Sequence, residues 1–319
     1  MFRVLDLPTE GVPAERDDDA GVAPPPRGTI RWIDLLAPEP AGLALLQDRF
    51  GFDPLAIDDC ARYGLQSKLD DYGKYLFAVI HAFTPSSDPE VAIQIHEIHA
   101  FLGDSYLVTV HDNPLPAQDG VWRAAVADPA VLGRGASWAL YRTVAAMLGA
   151  AEPLVAAITA SLDDIELAQI AESRDVDLGE VLRLKRTITG ARRVLRPLRD
   201  TLGTLHRRND PRLSPRAVLH FRDAADHVGR LAEMVEDARE VASTIVDAHG
   251  AVQAQRTNEV MKRLAIVSAV FLPLSFIVGF FGQNFDDLPY HSTGIFALVL
   301  VTMVLIPAGL MEWFRRNWL

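Results

Sequence analysis

The sequence predicts an α+β domain with helix, sheet and helix layers, from which long helices run on into a two-helix membrane hairpin. Three observations carry this. The stretch Leu264 to Gly282 holds no charged residue, and a second uncharged run, Gly294 to Met311, follows after a short link. From Ser214 to Phe281 no proline interrupts the chain between Pro215 and Pro273. Before residue 112 the apolar residues run in short strand-like blocks separated by turn residues, whereas after Ser137 their period is helical for almost the whole remaining chain.

The opening MFRVLDLPTEG is too polar for a secretory signal. Residues from about Gly11 to Arg27 combine Asp17, Asp18 and Asp19 with Pro24, Pro25 and Pro26, and read as flexible. Thr29 to Asp34 alternates as a strand does. A short helix follows from about Glu39 to Phe50, and a second starts at Asp53, with the aspartate as N-cap and Pro54 at the first helical position. That helix carries Asp58, Asp59 and Cys60. Tyr75 to Phe83, Val91 to Leu102 and Ser105 to His111 are rich in β-branched and aromatic residues, with Gly103-Asp104 as a two-residue hairpin turn, so a small mixed sheet is expected. His96 and His99 have the look of a metal pair, but residues three apart on a strand point to opposite faces.

Trp138 to about Glu172 is one long apolar-periodic segment with Asp163, Asp164 and Glu166 near its end. Asp177 to about Arg207 is the next, strongly basic and kinked at Pro197. An acidic helix directly before a basic one favours charge pairing within an antiparallel hairpin over nucleic-acid binding. Ser214 to Phe281, if one helix, is ~100 Å long at ~1.5 Å per residue. Such a rod serves as a stalk that joins the soluble domain to a pore, packed against copies of itself. The expected division is a flexible lead-in over 1–28, an α/β domain over 29–135 and a helical hairpin over 136–210. A stalk helix over 211–263, membrane helices over 264–282 and 294–311, an external loop over 283–293 and a basic tail over 312–319 complete it.

Each uncharged run is long enough to cross a hydrocarbon core of ~30 Å. Lys262 and Arg263 precede the first run, Arg315 and Arg316 follow the second, and the loop between holds Asp286 and Asp287 without Lys or Arg. The positive-inside rule then places both termini in the cytoplasm. With Cys60 as the lone cysteine, no intrachain disulfide or thiolate cluster can form. The net charge of −11 speaks against nucleic acid as a partner and suits a protein that gathers cations. No nucleophile elbow, phosphate loop or metal-ligand spacing marks an enzyme, and no organic cofactor is implied.

Two spans cannot enclose a watery path, so transport requires several subunits around an axis. Asn258, Met261, Leu264, Ser268, Leu272, Ser275 and Gly279 recur at three or four residues and share one helical face. Polar or small residues at Asn258, Ser268, Ser275 and Gly279 offer oxygens to a hydrated ion, and Met261, Leu264 and Leu272 form rings that close by dewetting. The same spacing also serves plain helix packing in lipid, where small residues allow close approach. Periodicity does not choose between the two. At the outer end Gly282, Gln283 and Asn284 end the helix. A ring of Asn284 carbonyls suits an ion held through its water shell, as Mg2+ prefers.

The run TNEVMKRLAIVSAVFLPLSFIVGFFGQNF resembles the stalk end and first span of CorA-type divalent cation transporters, with the NEVMK entry, the FLPL-F-I-G core and a G-x-N motif. HFRDAADHVGRLAEMVEDARE is similar to the family's stalk, RPLRD to its preceding helix, FGFDPLAIDDC to its early helix, and RRNWL to its basic tail. The resemblance implies a funnel-shaped homopentamer in the cell (inner) membrane that moves Mg2+, and incidentally Co2+ or Ni2+, down its gradient. It implies that Asn284 binds the hydrated ion, that Gly279 and Ser275 line the path, and that Met261, Leu264 and Leu272 constrict it. The resemblance also implies an inter-subunit regulatory metal site, which by local match falls on Asp59 and Asp247. Two positions depart from the family pattern. Gln283 replaces the usual methionine, and LPYH replaces MPEL, so that Tyr290 stands for a glutamate beside His291. A Zn2+ transporter of the same architecture, with or without proton coupling, is therefore the alternative, and a non-conducting membrane-tethered metal sensor is the reading from another class.

Overall fold

A computed structural model describes residues 2–8, 12–16, 21–128, 135–170, 177–283 and 292–317. It divides into two compact units, Met1–Val246 and Asp247–Leu319. In the first unit seven strands form one mixed sheet. They are β1 (Phe2–Pro8), β2 (Ala14–Arg16), β3 (Thr29–Leu36), β4 (Lys68–Asp71), β5 (Leu76–Pro85), β6 (Ile93–Leu102) and β7 (Tyr106–His111), in the order β2-β1-β3-β7-β6-β5-β4. β3 and β7 pair in parallel and the other neighbours are antiparallel.

The side-chain period of two sorts this sheet into two cores. Ile33, Leu35, Phe77, Val79, Phe101, Val108 and Val110 meet Leu43 and Leu46 of α1 (Pro40–Phe50) and Ala56 and Cys60 of α2 (Pro54–Ala61). Trp32, Leu76, Ala78, Ile80, Ile98, Ala100 and Leu102 face the other way, onto α3 (Pro116–Ala127), α4 (Ala136–Ile170), α5 (Leu178–Arg207) and the first part of α6 (Pro215–Phe281). The layers are helix, sheet and helix. The Asp53 side chain accepts from Leu55 N and caps α2, and Asp177 accepts from Gly179 N to cap α5. Ser214 Oγ accepts from Ala217 N at 3.2 Å at the start of α6, where Pro215 takes the first helical position.

The helical side is held by repeats. In α5 Val181, Leu184, Ile188, Ala191, Leu195, Leu198, Leu202 and Leu205 are buried, and in α6 Ala217, Phe221, Ala224, Val228, Leu231, Val235, Ala238, Ala242 and Ile245. Both sets step alternately by three and four, the spacing that keeps one seam of a helix against its neighbours. The acids of α6 fall off this seam: Asp223, Asp226, Glu233, Asp237 and Glu240 are exposed.

Three expectations are corrected. The segment 1–28 is not a lead-in throughout, since β1 lies within the sheet between β2 and β3, with Val4, Leu5 and Leu7 buried. Val4 enters one core and Leu5 and Leu7 the other, and Asp6 is neutralised by Arg31 at 2.6 Å. Asp17, Asp18 and Asp19 lie outside the described residues. The hairpin between β6 and β7 turns one residue later than expected: Gly103 N donates to Tyr106 O at 3.0 Å, which leaves Asp104-Ser105 as the turn. Gly103 is needed because a Cβ there would meet the Tyr106 ring at 2.3 Å. Among the described residues the basic side chains of α5 pair elsewhere than with Asp163, Asp164 and Glu166. Arg192 meets Glu236 of α6 at 2.7 Å, Arg186 meets Glu90, and Arg208, just past the helix, meets Asp71. Finally, α3 and the edge strand β4 were not foreseen.

Candidate ion pathway and metal-binding residues

Three helices are long and apolar enough to cross a membrane by composition: α4, α6 and α7 (Thr293–Asn317). Burial separates them. The most apolar window of α4 is 39% buried inside the protein, whereas those of α6 and α7, with mean hydropathy 2.5 and 2.4, are 0% buried. α4 therefore spends its apolar face on the sheet. In α6 the buried seam ends at Ile245, and no residue from Val246 to Gln283 is buried.

Within the second unit each helix has one half-buried stripe. On α6 it runs through Ile266, Ala269, Val270, Pro273, Leu274, Ile277 and Phe281, and on α7 through Ile295, Val299, Thr302, Met303, Ile306, Pro307 and Leu310. Phe314 is buried near the end of α7, and the apolar residues off these stripes are otherwise exposed, including Phe271, Phe276, Phe280, Phe296, Leu305 and Trp313. An apolar surface of this extent requires lipid or other protein to cover it.

All seven residues of the expected pathway lie outside the α6 stripe and are exposed: Asn258, Met261, Leu264, Ser268, Leu272, Ser275 and Gly279. Leu272 is 75% exposed. A Cβ added at Gly279 would meet no heavy atom within 4 Å, so nothing inside the chain demands glycine there. Gly282 closes the helix, its N–H donating to Val278 O at 2.9 Å, and Gln283 N donates to Phe280 O at 3.4 Å. Asn284, Asp286, Asp287, Tyr290 and His291 lie outside the described residues.

The two expected regulatory acids differ in setting. Asp247 is exposed on α6, while Asp59 on α2 accepts from Lys68 Nζ at 2.7 Å through Oδ2. Lys68 also reaches Asp70 at 2.8 Å, so a cation of the chain already stands beside Asp59. A carboxylate has lone pairs enough for a second partner beside the Lys68 ammonium. His96 and His99 do not converge: Nε2 of His96 bonds Thr84 Oγ1 at 2.8 Å, and His99 lies on the other face of β6. Among the described residues no three His, Cys, Asp or Glu side chains gather as a ready metal site.

A sheet domain whose one long helix leaves its own core and turns wholly apolar, followed by a second apolar helix, defines a membrane protein with a C-terminal helix pair. A family model described as CorA-like Mg2+ transporter protein matches residues 27–316, and the chain belongs to that family of divalent metal ion transporters, which are not enzymes. A protein of Bacillus subtilis (strain 168), provisionally named metal ion transporter YfjQ, is 31% identical over 326 residues, covering 100% of this chain and 98% of its own. The cobalt/magnesium transport protein CorA of Thermotoga maritima is 27% identical over 85% of this chain and 78% of its own. The solved CorA magnesium transporter from Methanocaldococcus jannaschii superposes with TM-score 0.83 at 20% identity, covering 99% of this chain and 98% of that one, which shows the shared fold.

Proposed function

We propose that the chain forms a homopentamer in the cell (inner) membrane, both termini cytoplasmic, and conducts Mg2+ inward along the exposed stripe of α6 from Asn258 to Gly279. The observation that carries the pathway is that stripe: small or polar residues alternate with apolar ones on a face the chain itself leaves uncovered. Asn284 takes the hydrated ion at the mouth, Ser275, Gly279, Ser268 and Asn258 present oxygens or room, and Met261, Leu264 and Leu272 close the path by excluding water. Carbonyls and hydroxyls without a fixed carboxylate suit an ion that keeps its water shell, which favours Mg2+. Gln283 and Tyr290 alter the mouth, and they support a Zn2+ transporter as the second reading.

Asp59 and Asp247 of an adjacent subunit would hold a regulatory divalent ion, which when bound supplies positive charge among the acids. Lys68 competes for Asp59, and the exposed acids of α6 set how strongly stalks repel one another.

The test is flux into proteoliposomes carrying a Mg2+ dye, a Zn2+ dye or a pH dye. Mg2+ entry that follows membrane potential without internal acidification is the expected result. Zn2+ entry that requires a pH gradient would establish the second reading. Asn284→Ala should abolish selective uptake, and undiminished flux of both ions in that variant would remove Asn284 from the pathway.

A further inference from the structure

The strand β4 lies at the edge of the sheet and pairs with β5 alone, Lys68 opposite Val79 and Asp71 opposite Leu76. Its period of two sends alternate side chains to the two helical layers. Val79 belongs to the core beneath α1 and α2, and Leu76 to the core beneath α3 to α6. Lys68 and Asp70 therefore face the first layer, and Leu69 and Asp71 the second.

Both faces end in ion pairs. On the first, Lys68 Nζ lies 2.7 Å from Asp59 Oδ2 of α2 and 2.8 Å from Asp70 Oδ2. On the second, Asp71 accepts from both arginines that lead into α6, from Arg208 and from Arg212 at 3.0 Å. Arg212 also donates to Gly73 O at 3.1 Å, just past the strand. The same two arginines hold Asp210, at 3.1 and 2.6 Å. Charge on an edge strand often serves only to prevent pairing with another chain. Here the side chains of Arg212 and Asp210 are 7% and 4% exposed, so this is a built joint rather than a solvated rim.

We propose that β4 is a strap that relays the charge balance at Asp59 to the root of α6, with Asp71 as the positioning residue that fastens it. Its physiological trigger rests on the reading of Asp59 as a regulatory metal ligand. When Asp59 turns to a divalent ion, Lys68 is left with Asp70 alone and β4 is untied from α2. An edge strand with one hydrogen-bonded neighbour then loosens. Asp71 carries that loosening to Arg208 and Arg212, just ahead of Pro215, where α6 begins.

Hydrogen exchange of the full-length protein in detergent reads the strap over residues 208–218, where Leu213 N bonds Asp210 O and Val218 N bonds Ser214 O. Lys68→Met unties β4 without any metal and should speed exchange there about threefold, while β6 and β7 keep their rates. Asp71→Asn leaves both arginines paired with Asp210, and adding Lys68→Met to it should change nothing further over 208–218. Mg2+ added to the wild type should slow exchange in α2 and speed it over 208–218. Unchanged rates over 208–218 in Lys68→Met, or equal acceleration with and without Asp71, would overturn the strap. Faster exchange in β6 and β7 as well would mark general destabilisation and overturn it too. Mg2+ that leaves α2 unmoved while Lys68→Met still acts through Asp71 would uphold the strap and remove the metal as its trigger.

Discussion

Replacing Gly279 by Ala and then Val should move stability and flux in opposite directions. Glycine inside a helix costs about 1 kcal/mol relative to alanine. A Cβ at Gly279 touches nothing within 4 Å in the chain, so Gly279→Ala should leave the isolated subunit as stable or about 1 kcal/mol more so. In the proposed pore the same Cβ would enter the path from every subunit. An ion that keeps its waters has no room to spare, and flux should fall at least tenfold with Val, equal to about 1.4 kcal/mol of added barrier. The assay pairs dye-based Mg2+ flux in proteoliposomes with a melt of the same preparation. Full flux in Gly279→Val would refute the assignment of this face to the pathway. Lost flux together with a lowered melting temperature would instead make Gly279 a packing residue.

Leu272→Asn replaces an exposed apolar side chain, a closing ring in the proposed pathway, with an amide and should raise resting leak several-fold without lowering stability, as read by the same flux assay in high internal Mg2+. Lys68→Met removes the ammonium beside Asp59 and should tighten inhibition by internal divalent ions about fivefold, or ~1 kcal/mol discounted for its partial exposure, measured as a shift in half-inhibiting concentration. The buried carboxylate Asp34 bonds Arg3, Thr109, His111 and Gln118, and Asp34→Asn should cost about 3 kcal/mol in denaturant unfolding. Burial pushes the Asp34 carboxyl up, but His111, Arg3 and Thr109 outweigh it and hold it below the usual carboxylate range. Burial opposes the charged His111, yet its bond to Asp34 raises it above the usual imidazole value. Asp34 therefore adds stability above about pH 4 that is lost as pH falls through its lowered value. His111 adds stability below about pH 6.5 that is lost as pH rises through its raised one. A melt against pH should show both slopes, and His111→Gln should flatten the second.

Where one physical rule acted alone, the sequence was legible. Asp53-Pro54 capped α2 and Ser214-Pro215 opened α6, because a cap is decided within a few residues. Legibility failed where two neighbours compete. β1 places Val4 on one core and Leu5 and Leu7 on the other, so VLDL lacks the alternation that marks a half-buried strand, and its Asp6 is tolerated only through Arg31, far along the chain. The partners of the α5 arginines were missed for the same reason, since Arg192 to Glu236 and Arg186 to Glu90 are long-range pairings that no helical spacing reveals. His96 and His99, three apart on β6, were rightly read as facing opposite sides of the sheet, because a strand's period of two is settled by sequence spacing alone.

Sequence and structure meet most informatively along α6, because one unbroken helix changes solvent within its length. Up to Ile245 its apolar residues recur at three and four, which commits one seam to the bundle and leaves acids outward. Beyond Ile245 burial within the chain ends, and from Leu264 charge also disappears, so the apolar surface can no longer be assigned to one side. A helix apolar all round has to be enclosed by lipid or by like helices. The polar or small positions Asn258, Ser268, Ser275 and Gly279 share one exposed stripe that the chain itself leaves uncovered. In the proposed pentamer, symmetry-related copies that face one another across an axis would supply that cover, as a closed ring requires. On that proposal the stalk seam and the pathway stripe are successive uses of one helical periodicity, the first satisfied inside the subunit and the second between subunits.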